Sequence, residues 1–109
     1  MTNTISANVP TTSGSRYLQQ LCKHWAHKLA VSFTPEVGQV TFPNGAVTHL
    51  VAHSDYLEVR IDLPSADMAE NMQGVVARHL DRFAFREAPL SFNWQPVVGR
   101  ALILIDQTR

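Results

Sequence analysis

The chain begins with a short alternation, Ile5, Ala7 and Val9, which reads as an edge strand or as a loose N-terminal segment over 1–12. From Ser13 the period changes. Tyr17, Leu18, Leu21, Cys22, Trp25 and Leu29 recur at spacings of three and four after a Ser/Thr-rich lead-in suited to capping, which predicts a first helix. The period then drops to two, and "LAVSFT", "GQVTF", "AVTHLVAH" and "YLEVRIDL" predict four strands, with turn chemistry in "PNG" and "HSD". Ser65 follows as a candidate N-cap, and Met68, Met72, Val75, Val76, Leu80 and Phe83 form the stripe of a second helix. "LSFNW", alternating Leu90, Phe92 and Trp94, predicts a last strand. Hairpins this short require antiparallel pairing. The expectation is one α+β domain over 1–109, an antiparallel sheet of about five to six strands with two helices on one face.

The two central hairpins constrain each other. A two-residue turn at Asn44-Gly45 would put Val47, His49 and Val51 on the core side. A two-residue turn at Ser54-Asp55 would instead put Ala46, Thr48, Leu50 and Ala52 there. Both cannot hold without a bulge. Pro43 cannot donate a ladder hydrogen bond, which favours the second register, with Pro43 inside a three-residue first turn and His49 and His53 on the open face.

Composition narrows the functional classes. Nine Lys plus Arg balance nine Asp plus Glu. With no basic run, the sequence lacks the phosphate-neutralising footprint of a nucleic-acid binder. The lone Cys22 excludes an internal disulfide and fits a reducing compartment. The polar start has neither a basic n-region nor an apolar h-region, and "ALILI" is too short to cross a bilayer, so a cytoplasmic location without membrane contact is expected. Ala101 to Ile105 are five consecutive apolar residues in the extension 95–109. Such a run needs cover on both faces, from its own sheet or, as favoured here, from a second chain in a homodimer.

Five histidines raise the question of a metal. At about 100° per residue Cys22 points away from His24 and His27, and His49 and His53 stand roughly 13 Å apart along one strand. His24 and His27 would need ligands from elsewhere, so neither a metal nor any other cofactor is expected. The richer cluster is "HLDRFAFRE". His79 falls inside the apolar stripe and is expected to be largely buried against the sheet, either as a core histidine or as part of a pocket. Arg82 and Arg86 lie along the border of that stripe, beside Glu87. On the first helix His24 and Lys28 stand at i and i+4, also at a border. A pocket between the helices could gather His24, Lys28, His79, Arg82, Arg86 and Glu87 to hold a carboxylate or phenolate oxygen. The alternative for the arginines is to neutralise the helix C-terminus and pair with Asp81 or Glu87. Nucleophile-base motifs, a Gly-rich phosphate loop and an acid dyad are missing from the sequence, so catalysis has no support of its own.

In "SRYLQQLCKHWAHK", "VTFPNG" and "VVARHLDRFAFRE" the chain resembles a bacterial family of unknown function, DUF2218, from about Ser15 to Trp94. Relatives in that family tend to occur beside genes for siderophore and iron handling, so the resemblance implies a cytoplasmic accessory role in iron uptake. Three readings follow: a non-catalytic binding or accessory module for a small anionic or siderophore-like ligand, a homodimeric interaction module without a ligand, and, least supported, an enzyme.

Overall fold

The computed structural model describes residues 3–97, and the stretch Ala101 to Ile105, with the homodimer expected from it, lies outside the described residues. The first alternation forms β1 (Asn3–Pro10), burying Ile5, Ala7 and Val9. The helical stretch forms α1 (Gly14–Trp25), whose buried side is Tyr17, Leu18, Leu21, Cys22 and Trp25. Leu29 lies past the helix, on a turn whose N–H donates to the Trp25 carbonyl at 2.8 Å. The period-two segment becomes a meander of β2 (Ala30–Phe33), β3 (Val37–Thr41), β4 (Val47–Ala52) and β5 (Tyr56–Leu63). A single 3-10 turn (Ala66–Met68) leads into α2 (Ala69–Phe83), and β6 (Gln95–Val97) closes the described chain.

The result is an α+β fold with one six-stranded antiparallel sheet in the order β2-β3-β4-β5-β1-β6. β1 is therefore an inner strand and not an edge, paired with β5 from Asn3 opposite Leu63 to Pro10 opposite Tyr56, and with β6 on its other side. Its alternation is apolar toward the helices and polar outward, which fits an inner strand of a sheet covered on one face only.

The hairpin register follows proline. Leu50 stands opposite Val59 and Ala52 opposite Leu57, and Thr48, Leu50, Leu57, Val59 and Ile61 face the core. Phe42 N–H donates to the Ala46 carbonyl at 2.8 Å, leaving Pro43, Asn44 and Gly45 as a three-residue turn. Gly45 takes φ +95°, a conformation that side-chain-bearing residues reach only with strain. The Asn44 side-chain oxygen accepts the Ala46 N–H at 2.9 Å, fixing the turn.

Two expectations about local structure are corrected. "LSFNW" keeps its alternating burial but is not a strand: Leu90 N–H donates to the Asp81 carboxylate at 2.8 Å, tying this backbone to α2 instead of to a ladder, and pairing begins only at Gln95. Phe92 and Trp94 stack at 5.6 Å and pack on the core from this extended segment. Ser65 does not cap with its side chain; its hydroxyl donates to Asp67, and its carbonyl accepts the Met68 N–H that starts the 3-10 turn.

One polar group sits uncompensated in the core. The Thr48 hydroxyl is fully buried, and among the described residues it has no hydrogen-bond partner. Replacing it by the isosteric valine removes that desolvated group, so Thr48→Val is expected to raise stability by about 1 kcal/mol in a urea melt.

Candidate functional site

α1 and α2 meet through aromatic rings. Trp25, nearly buried, carries the Phe42 ring edge-on at 5.1 Å and the His79 imidazole at 4.9 Å. His79 in turn lies 5.6 Å from His24, whose ring also meets Phe83 edge-on at 5.7 Å. The His79 Nδ1–H donates to the Val75 carbonyl one turn back at 2.6 Å. That bond fixes the ring and turns Nε2 away from the helix backbone. His79 is mostly buried, as its stripe position suggested, but on the helix-helix seam against Trp25 and His24 instead of against the sheet. The stripe angle was right, but α1 fills the space there.

An open cavity of about 220 Å³ lies on this seam, lined by Arg78, His79 and Arg82. Arg78 was not singled out from the sequence, although its i, i+4 spacing to Arg82 places both on one side of α2. Gly74 explains how it gets there: a Cβ at Gly74 would stand 2.8 Å from an Arg78 guanidinium nitrogen, so the missing side chain gives the arginine room to lie back along its own helix.

His24 faces this group from α1. Its pKa lies below the ordinary histidine value, first through lost hydration against its neighbours and then through the charges of His79, Arg82, Lys28 and His27. His24, His79 and Arg82 are thus brought together, while Lys28, expected on the first helix, lies in the turn after it and acts on His24 from there. Arg86 and Glu87 are not. The Arg86 guanidinium sits 5.7 Å over the exposed Phe85 ring. Glu87 accepts hydrogen bonds from the Tyr17 hydroxyl and from the Thr11 hydroxyl, the latter at 3.1 Å, so it ties the end of α2 to α1 and to the segment after β1. Burial and the neighbouring Glu87 push the Tyr17 phenol up. The pairing of the arginines with Asp81 or Glu87 is likewise absent among the described residues, because both acids are engaged elsewhere.

Elsewhere the histidines serve the sheet. On its open face His49 lies 3.0 Å from Asp62, which also accepts the Thr4 hydroxyl at 3.0 Å, and His53 lies 3.0 Å from Glu58 while stacking on Tyr56 at 4.2 Å. These are cross-strand contacts of a polar sheet face. Cys22 is fully buried, and burial pushes its thiol up to about 11, which keeps it protonated and unreactive. Among the described residues, no group of three or more His, Cys, Asp or Glu could hold a metal ion, and no helix is long and apolar enough to cross a membrane.

This geometry can be set beside known proteins. No protein of curated function matches the chain. It is similar to the NMR structure of PA4090 from Pseudomonas aeruginosa, 39% identical, with a TM-score of 0.71 over 85% of this chain and 95% of that chain. A family model described as "Uncharacterized protein conserved in bacteria (DUF2218)" matches residues 6–95, from within β1 through both helices to the start of β6. The six-stranded sheet, with its cationic seam between two helices, belongs to a member of the DUF2218 family.

Proposed function

We propose that this chain is a small non-catalytic binding module that takes an anionic ligand into the α2-lined cavity beside the α1–α2 seam, in a cytoplasmic accessory role to iron and siderophore handling. One observation carries the reading: Arg78, His79 and Arg82 line one cavity, His24 and through it Lys28 add positive charge beside them, and none of the five forms an ion pair among the described residues. Gathering like charges without a counter-charge costs free energy, and an anion supplies the missing charge. Two guanidinium groups beside an imidazole suit carboxylate or catecholate oxygens, because the planar forks can donate in pairs. The iron setting implied by the family resemblance makes catecholate and carboxylate siderophores the first ligands to test.

The test is a thermal-shift series with citrate, sulfate, a catechol carboxylate, and ferric and iron-free siderophores. A ligand at a hundred times its Kd adds about 2.7 kcal/mol, on the order of 10 °C for a domain of this size. Arg82→Gln is expected to remove most of that shift while melting normally without ligand. Arg86→Gln, which alters the arginine over Phe85, is expected to keep it. Equal shifts in both variants, or no shift with any anion, would dismiss the cavity as the site.

A further inference from the structure

We propose that anion capture in this cavity is coupled to proton uptake by His24, which completes the site as a cation when the anion is bound. This inference rests on the anion-binding reading and adds a regulator, pH, to the same site. The geometry is an exposed ring on α1 whose centroid lies 5.6 Å from that of His79 on the cavity wall, with cationic groups around it. From the turn that follows its own helix His24 faces His27 and Lys28; from α2 it faces His79 and Arg82, with Arg78 also on the cavity wall. Phe83 covers one side with an apolar edge at 5.7 Å. No carboxylate offsets these charges: Asp81 holds the Leu90 N–H, and Glu87 holds Tyr17 and Thr11. Every neighbour that acts on the imidazole therefore disfavours its charged form, in agreement with the depressed pKa.

A bound dianion reverses this balance. It lies against Arg78, His79 and Arg82 within reach of the same field, and its charge favours the protonated imidazole. The proton comes from solvent and stays on a ring nitrogen, and no bond of the ligand is made or broken. Linkage fixes the sign. Because the complex holds the proton more tightly than the free protein, affinity rises as pH falls from above the pKa of the complex and levels off below that of the free protein. Between those two values the rise is up to about tenfold per pH unit.

The experiment is calorimetric titration with sulfate and with oxalate between about pH 5 and 8, the range in which histidine titrates. Sulfate is a dianion throughout that range and oxalate over all but its acid end, so from the middle of the range upward neither releases a proton of its own. Buffers of different ionisation heat then count the protons taken up. The expected result is uptake approaching one proton per anion near the middle of the range, lost in His24→Gln, whose binding is weaker and independent of pH. The His24 ring-proton shift, followed by NMR in the wild-type chain, is expected to titrate at higher pH in saturating sulfate than without it, which tests the idea without any substitution. Binding whose heat is the same in every buffer overturns the coupling and leaves the anion site standing. Uptake that survives in His24→Gln and disappears in His79→Gln assigns the proton to the wrong residue and also overturns it. Failure of both dianions to bind at any pH removes the anion site itself, and the coupling with it.

Discussion

Gly38→Ala is expected to lower the stability of the fold by about 1–3 kcal/mol, the usual cost of forcing extra volume into a well-packed core. Gly38 sits in β3 under α1, and a Cβ built there stands 2.8 Å from Cys22 Sγ and 3.4 Å from Leu18 Cδ2. Both neighbours are fully buried, so neither side chain can swing into solvent. The contact predicts a specific coupling. Cys22→Ala alone leaves a small void, but it clears the atom that the new methyl strikes, so Gly38→Ala should cost much less in the Cys22→Ala background than in the wild type. Urea midpoints for the four proteins of the cycle check this. Simple additivity would mean that the glycine is there for some other reason.

The second large effect is expected at Glu87. Its carboxylate receives the hydroxyls of Tyr17 and Thr11, which are only 4% and 6% exposed. Glu87→Ala leaves both donors without an acceptor, for a loss of about 1.5–3 kcal/mol. The anion-induced thermal shift should survive, because the carboxylate lies outside the cationic cavity. Wild-type stability together with a lost anion response would restore Glu87 to the binding site and overturn the assignment made from its contacts.

These two residues also show how far the sequence could be followed. Period and turn chemistry located both helices and the four-strand meander, and the inability of Pro43 to donate settled the register that puts Thr48 and Leu50 inside. Periodicity could not tell that β1 is an inner strand, because alternation reports which faces a strand presents and not how many neighbours it has. It also could not separate Phe92 and Trp94 from a ladder strand, because an extended segment packed on the core alternates in the same way. Of the grouped residues, the helix borders put His24, His79 and Arg82 where the structure brings them together, and Lys28 stays near His24 although α1 ends at Trp25. Glu87 and Arg86 were misgrouped because they lie past the last residue of α2, where helical projection no longer applies. Arg78 was missed because it lies off the apolar stripe that drew attention to His79.

The position of β1 has a kinetic consequence. The contacts among β2, β3, β4 and β5 join neighbours in sequence and can form as local hairpins. β1 must wait for a partner about fifty residues away, since Pro10 meets Tyr56 and Asn3 meets Leu63. Closing so long a loop costs chain entropy before any ladder bond repays it, and long-range pairing of this kind slows folding. On the ribosome, the first strand made is thus among the last to be stitched in, and until then the flank of β5 that will receive it stays open. The same closure then brings β6 to its place, since β1 is its partner in the sheet. The N-terminal strand therefore acts as the latch of the fold.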